Sequence, residues 1–239
     1  MSGHSKWSTI KRKKGAADAK RGVIFTRLSK DITLAAKHGG GNIDMNPSLR
    51  LAIKKAKTSN MPSANIDRAI KKGTGELPGI RYEDFEYEGY GPESVAILIE
   101  VMTDNKNRTL PEIRSIMTKN GANLGEAGCV NWMFERKGIF TIKTSNIEED
   151  KLMELLEIFD IDDIIFDDDL YEIIIKPDDF EKINKIFSDE NINFDGELSL
   201  VPQSMIQLSE EDADKVIRLL ELLDEHDDVQ KVHSNFEVV

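Results

Sequence analysis

The first 75 residues contain three segments whose apolar positions repeat with the period of an α-helix. The first segment covers residues 23–38, and its apolar stripe consists of Phe25, Leu28, Ile32 and Ala35. The triple glycine 39–41 ends it, because glycines hold a helix only at an entropic cost. The second helix starts at Asn46-Pro47, a capping residue followed by a first-turn proline. The third runs from about residue 60 to Gly73, a candidate C-terminal cap. Helices this short need tertiary support, so the pattern predicts a small three-helix bundle.

From residue 76 onwards, predicted strands alternate with helices. A buried strand at 95–103 and a second strand at 129–135 flank a helix at 109–120. Residues 136–203 then follow the order β-α-β-β-α-β, which is the ferredoxin-like plan. Its predicted elements are a strand at 138–143, a helix at 148–159, strands at 161–166 and 170–176, a helix at 178–189 and a strand at 194–201.

The last 36 residues complete the prediction for the whole chain. They contain a strand at 204–208, a helix at 210–225 and a strand at 229–238. Joined to the strands and helix before residue 136, they form a second ferredoxin-like unit, interrupted at its midpoint. Two sequential domains would leave each end piece with too few strands to close a core. The predicted fold class is therefore α+β, an N-terminal three-helix bundle followed by two ferredoxin-like α/β domains, one inserted in the other. The domains are 1–78 (basic arm and bundle), 79–135 with 204–239 (discontinuous), and 136–203 (inserted and acidic).

The charge of the chain is divided unevenly along its length. Residues 1–75 hold 17 Lys and Arg and 4 Asp and Glu, a net of +13, whereas the remaining residues carry a net of −25. An imbalance of this size costs self-repulsion, which a polyanion would relieve. A solvated basic surface would normally intersperse Glu at helical spacing, and residues 1–75 contain none. The basic segment therefore predicts a nucleic-acid-binding part.

The candidate nucleic-acid-binding residues lie on an arm formed by the first 22 residues and on the bundle. They are Lys6, Trp7, Lys11, Arg12, Lys13, Lys14, Lys20, Arg21, Arg27, Lys30, Arg50, Lys54, Lys57, Arg68, Lys71 and Lys72. Trp7 can stack on an unpaired base or pack against the first helix. Asn65 and Arg68 are the only base-reading candidates on the third helix, so weak sequence preference is expected. RNA suits this composition as well as DNA.

A second polar loop, TDNKNRT, follows the strand at 95–103. Asn105, Asn107 and Arg108 are displayed there as candidate contacts, although turn and capping chemistry alone explains Asn105. The acidic domains are expected to contact basic proteins.

No catalytic signature is present in the sequence. The glycines lack the GK[ST] of a phosphate loop, and the four histidines show no HExxH spacing. The acidic run 160–169 lacks the glycine and spacing of a calcium loop, so neither a metal nor a cofactor is predicted. Cys129 lies in an apolar segment and is expected in the core. A single cysteine suits a reducing compartment, and no apolar run is long enough to cross a membrane, so a cytoplasmic location is predicted.

Seven ordered blocks resemble proteins of the YebC family. They are GHSKW, KRKKGAADAKRG, FTRLSKDI, NPSLRLAIKKAKTSNMPSANIDRAIKKGTG, YEGYGP, TDNKNRT and CVNWMFE, beginning at Gly3 and ending at Glu135. The chain departs from the family pattern at Glu93-Ser94 and at Gly121-Ala122, where glycine pairs are common. The resemblance implies a three-domain, non-enzymatic protein, a probable DNA-binding transcriptional regulator. Related members imply an alternative, a ribosome-associated translation factor that binds ribosomal RNA and relieves translation stalled at consecutive prolines.

Overall fold

The computed structural model describes residues 21–77, 82–167 and 169–239, which form two compact units. One unit is residues 134–203, and the other contains the described residues before 134 and after 203. In chain order the elements are α1 (Arg21–Gly39), α2 (Pro47–Thr58), α3 (Ser63–Gly73), β1 (Glu83–Tyr90), β2 (Ala96–Thr103), α4 (Lys106–Lys119), β3 (Asn123–Leu124), β4 (Phe134–Lys143), α5 (Glu149–Leu156), β5 (Ile161–Asp167), β6 (Leu170–Ile175), α6 (Phe180–Asp189), β7 (Phe194–Pro202), β8 (Ile206–Leu208), α7 (Glu210–Asp224), β9 (Val229–Ser234) and β10 (Phe236–Val238).

The predicted three-helix bundle is confirmed. Asn46 caps α2, since its side-chain oxygen accepts the Leu49 backbone N–H at 3.0 Å. The bundle core is apolar and consists of Leu28, Ile32, Ala36, Leu49, Ala52, Ile53, Ala56, Met61, Ile66 and Ala69. Gly73 is the last residue of α3 rather than its cap, which is Thr74. A Cβ at Gly73 would lie 2.4 Å from the Thr33 carbonyl oxygen, so glycine there permits close packing of α3 on α1.

The same unit contains an antiparallel sheet with the strand order β3-β1-β2-β9. The core formed by this sheet with α4 and α7 includes Ile99 of β2, Ile113 of α4 and Leu219 of α7. Residues at alternating positions of β2 point into this core, because successive strand residues face opposite sides of a sheet. Helices α4 and α7 therefore supply the apolar cover that this face of the sheet needs.

The unit 134–203 is a ferredoxin-like domain. Its antiparallel sheet has the order β5-β6-β4-β7, in which α5 connects β4 to β5 and α6 connects β6 to β7. Phe140 of β4 stacks on Phe180 of α6 with ring centroids 4.8 Å apart and meets Phe187 edge-on. These aromatic contacts fasten α6 to the sheet. The predicted fold class, helices followed by α+β sheet domains, is confirmed.

Several strand assignments differ from the prediction. Strands β1 and β3 were not predicted, although β1 pairs with β2 along its whole length, and the strand predicted at 229–238 is divided into β9 and β10. The segment 129–135 is not one strand, since 131–133 form a 3-10 turn and Phe134 begins β4 of the other unit. The physical reason is that Glu88 binds the backbone N–H groups of Gly128, Val130 and Asn131, which are then unavailable to a strand ladder. Strand β8 pairs with β10 in a separate parallel pair instead of joining the larger sheet.

The turn between β1 and β2 contains two non-glycine residues with left-handed backbone angles. Glu93 has φ 55° and Ser94 has φ 62°, and the Val95 N–H donates to the Pro92 carbonyl at 3.2 Å. Positive φ at both central residues is typical of a type I′ hairpin turn, which favours glycine. These are the two positions at which the resemblance implied a glycine pair.

Within the described residues, no helix combines the length and hydropathy needed to cross a membrane.

Candidate nucleic-acid interface

Helix α2 carries cations on a face different from its buried side. Leu49, Ile53 and Ala56 face the bundle core, while Arg50, Lys54 and Lys57 are exposed. The three cations stand at i, i+4 and i+7, so helical geometry places them on one face. The Arg50 guanidinium donates to the Asp44 carbonyl at 2.8 Å, which directs its side chain towards the N-terminal end of α2.

Helix α3 exposes a second set of cations near its C-terminus. Arg68 and Lys71 are exposed, whereas Ile66 and Ala69 are buried. The Lys72 ammonium lies over the Tyr82 ring, 5.5 Å from its centroid. Cations in a last turn also stabilise the helix through its dipole, which is a structural role they combine with any binding role.

Three exposed cations of the bundle have no ion-pair partner within the described part of the chain. Residues 21–77 hold 11 Lys and Arg and 4 Asp and Glu, a net of +7. Lys57, Arg68 and Lys71 form no ion pair with any residue that the structure describes. Exposed cations without an ion-pair partner among the described residues, one on α2 and two on α3, are suited to binding phosphate groups.

Two of the predicted contact residues serve a different purpose. Arg27 Nη1 lies 3.0 Å from Asp224 Oδ2, and Lys30 Nζ lies 3.2 Å from Asp228 Oδ1. Lys30 is only 7% exposed and also donates to the Asp227 carbonyl. Both cations therefore join the bundle to the sheet domain, and the charge of Lys30 is not displayed to solvent.

The acidic partner in this junction is Asp228. Its Oδ2 accepts hydrogen bonds from Arg108 Nη2 at 2.7 Å, from Thr109 Oγ1 at 2.7 Å and from Thr103 Oγ1 at 3.1 Å. Burial alone would raise the pKa of Asp228, but the hydrogen bonds from Arg108 and Thr109 and the charge of Lys30 outweigh it. The pKa of Asp228 falls to about 2, so the carboxylate is ionised at neutral pH.

The second polar loop is therefore partly committed to the fold. Asn105 is the N-cap of α4 and accepts the Arg108 N–H at 3.2 Å. The Arg108 side chain is held by Asp104 and Asp228, while Asn107 is exposed in the first helical turn. An open groove beside this loop is lined by two cations and five acids, and both cations, Lys30 and Arg108, are already paired. Such a lining disfavours phosphate.

The predicted basic arm lies almost entirely outside the residues that the structure describes. Lys6, Trp7, Lys11, Arg12, Lys13, Lys14 and Lys20 lie outside the described residues, and of Arg21 only the helical position is described.

The sequence analysis did not predict the role of Asp228 and Thr103 in joining the bundle to the sheet. The one signal for it was that Arg27, Lys30 and Lys37 share a second face of α1, separate from the apolar stripe. Lys37 on this face pairs with Asp84 at the start of β1.

Metal-ligand geometry is not found in the described part of the chain. No group of three or more His, Cys, Asp and Glu side chains there is arranged to hold a metal ion.

A basic helical bundle joined to an acidic α+β body is the architecture that the fold and its charges define. The model of the TACO1/YebC protein N-terminal domain matches residues 5–76, and that of the TACO1/YebC second and third domain matches residues 82–236. The chain belongs to the TACO1/YebC family, as its sequence blocks predicted.

Curated relatives and a solved structure are similar along the whole chain. A probable transcriptional regulatory protein of Halothermothrix orenii is 51% identical over 243 residues, covering 100% of this chain and 96% of the relative. One of Dictyoglomus turgidum, with the same name, is 50% identical with the same coverage. The crystal structure of a conserved hypothetical protein from Aquifex aeolicus matches with a TM-score of 0.88 at 41% identity and covers 98% of each chain.

Proposed function

We propose that this protein regulates gene expression by binding nucleic acid through the exposed cations of α2 and α3, with the basic arm as a second contact. The observation that carries the proposal is the exposure of Lys57, Arg68 and Lys71 without an ion-pair partner among the described residues. The names of the relatives support a regulatory role. The protein acts by occupying its ligand and not by catalysis, in the cytoplasm and without a cofactor.

The leading ligand is DNA, as expected of a transcriptional regulator. Each cation that neutralises a phosphate releases condensed counterions. If six to eight of the candidate cations engage, log affinity should fall with log salt with a slope of about −4 to −7. Lysines predominate on the exposed faces, and a lysine acts as a point charge on phosphate without reading bases. Affinity should therefore vary little with base sequence.

The lysine-rich character of α2 and α3 also favours a second candidate ligand, ribosomal RNA. A face that positions phosphates without reading bases suits a structured RNA, which is recognised by shape. In that case the protein is a translation factor that meets the ribosome through the same lysines. Its acidic domains then meet basic proteins.

The binding site is tested by titrating the full chain into fluorescent duplex DNA and structured RNA at several salt concentrations. The Lys54→Ala/Lys57→Ala variant should weaken binding about tenfold or more and make the salt slope shallower by about 2. The matched control, Lys182→Ala/Lys185→Ala, removes two charges from α6 and should leave binding unchanged. Equal loss in both variants would show a response to total charge and reject the proposed site.

The ligand is identified by crosslinking the protein in living cells and sequencing the attached DNA and RNA. Enrichment of promoter DNA supports transcriptional control. Enrichment of one ribosomal RNA region with little DNA assigns the same lysines to translation. Incubation with labelled DNA and RNA should give no turnover, and cleavage of either would overturn the non-enzymatic assignment.

A further inference from the structure

Trp132 presents its ring to solvent in the segment that does not form the expected strand. The side chain is 67% exposed, although its Nε1–H is satisfied by the Cys129 carbonyl oxygen at 3.2 Å. The Tyr90 hydroxyl donates to the same oxygen at 3.1 Å, and Tyr90 is 37% exposed. One carbonyl thus binds the polar groups of two aromatic side chains. The exposed ring surface is apolar and has no need of further hydrogen bonds.

The loop that carries Trp132 is held firmly by β1. Glu88 is 6% exposed, and its carboxylate accepts N–H groups of Gly128 at 2.6 Å, Val130 at 2.7 Å and Asn131 at 2.7 Å. Burial would raise the pKa of Glu88, but these three hydrogen bonds lower it below its usual range. The Asn131 amide also donates to Glu86 Oε2 at 3.1 Å. An aromatic side chain on an immobilised loop loses little freedom on binding a partner.

The segments that carry Tyr90 and Trp132 are rich in acidic residues. Residues 83–105 and 123–133 together contain eight Asp and Glu and no Lys or Arg. Glu86 and Glu126 are exposed. Burial raises the pKa of Glu86 above its usual range, and the nearby charges of Glu100 and Glu88 raise it further. Glu86 and Glu126 form no ion pair within the described part of the chain, and exposed carboxylates of this kind repel a phosphate backbone and attract a cation.

We infer that Trp132 and Tyr90 form a docking surface for an arginine-bearing segment of a partner protein. Tryptophan has the aromatic face that binds cations best, and the planar guanidinium stacks on such rings while pairing with carboxylates. The exposed carboxylates of Glu86 and Glu126 supply that pairing. This surface is distinct from the basic faces of α2 and α3, and it takes a ligand of opposite charge.

The test uses the full-length Trp7→Phe variant, in which Trp132 is the sole tryptophan. An octa-arginine peptide is the probe, and the change in Trp132 emission reports binding at this site. Saturable binding is expected. Glu86→Gln/Glu126→Gln should weaken it about tenfold, because it removes the two carboxylates and keeps the acceptor for Asn131.

The matched control is Glu149→Gln/Glu154→Gln, which removes two exposed acids from α5. This control variant should bind octa-arginine with unchanged affinity, as reported by Trp132 emission. Equal weakening in both double variants would show attraction to net charge alone and overturn the inference. An unchanged emission on adding octa-arginine would overturn it as well. If a single-stranded oligonucleotide changes the emission and octa-arginine does not, Trp132 is a nucleic-acid contact instead.

Discussion

The Lys30 ammonium lies 3.2 Å from the Asp228 carboxylate, and each side chain is only 8% exposed. Lys30 belongs to α1 of the basic bundle, whereas Asp228 immediately precedes β9 of the sheet domain. Asp228 also binds Arg108, Thr109 and Thr103. Lys30, which the sequence alone suggests as a phosphate contact, therefore joins the helical bundle to the sheet within one unit.

Removing Asp228 should destabilise the protein strongly. Asp228→Ala leaves the buried charge of Lys30 without its carboxylate, and loss of one partner of a buried pair costs about 3–5 kcal/mol. For a chain of this size, the melting temperature should fall by roughly 6–20 °C. Thermal unfolding followed by circular dichroism measures this. Glu211→Gln, an exposed change on α7, is the control and should shift the melting temperature little. A similar small shift for Asp228→Ala would contradict the buried-pair interpretation.

The stability contributed by Asp228 should depend on pH. The pKa of its carboxyl is lowered from 3.8 to about 2 in the folded protein. Its contribution is therefore complete above the unfolded pKa and is lost as the pH falls through about 2. The stability gap between the wild type and Asp228→Asn should narrow by about 2 kcal/mol between pH 5 and pH 2. Urea unfolding at a series of pH values tests this, and a constant gap would argue against it.

Lys30 and Lys57 should behave oppositely in a binding assay. Lys57→Ala removes an exposed charge and should weaken nucleic-acid binding several-fold, with a salt slope about 1 smaller in magnitude. Lys30→Met keeps the apolar stem of a buried side chain and should lower stability but leave affinity nearly unchanged. Both are measured by fluorescence anisotropy at a temperature at which both variants are folded. A greater loss of affinity in Lys30→Met than in Lys57→Ala would mean that the Lys30–Asp228 ion pair helps to form the binding face.

Glu88 should control the order of the loop that carries Trp132. Glu88→Gln replaces one of two charged acceptors with an amide that donates, so at least one of three bound N–H groups loses its partner. The expected cost is about 2 kcal/mol. Hydrogen exchange of Gly128, Val130 and Asn131 should accelerate beyond that of Ile99 in β2. Uniform acceleration throughout the unit would indicate general destabilisation and not a local role.

The turn between β1 and β2 offers a stabilising substitution. Ser94→Gly removes the steric cost of φ 62° but increases the freedom of the unfolded chain. The balance should stabilise the protein by about 0.5–1 kcal/mol. Ser94→Ala keeps the unfavourable angle and is the matched control. Urea unfolding compares the two, and equal stability would show that the turn is not strained at Ser94.

The sequence determined the elements whose formation depends on neighbouring residues. Asn46 and the apolar spacing of α2 were sufficient for its start and its buried face, because capping and amphipathicity act within one or two turns. The alternating strands and helices of residues 134–203 were also predicted from their local apolar patterns. The charge separation between the bundle and the rest of the chain also follows from the residues alone.

The tertiary structure decided how charged side chains are used. A lysine on a helix has the same local pattern whether it meets solvent, as Lys57 does, or a carboxylate nearly 200 positions away, as Lys30 does. The same holds for 129–133, which is apolar enough for a strand but is held as a loop by Glu88. Ion pairs, and hydrogen bonds from backbone N–H groups to a carboxylate, join positions that only the folded chain brings together. For this reason no local pattern could predict them.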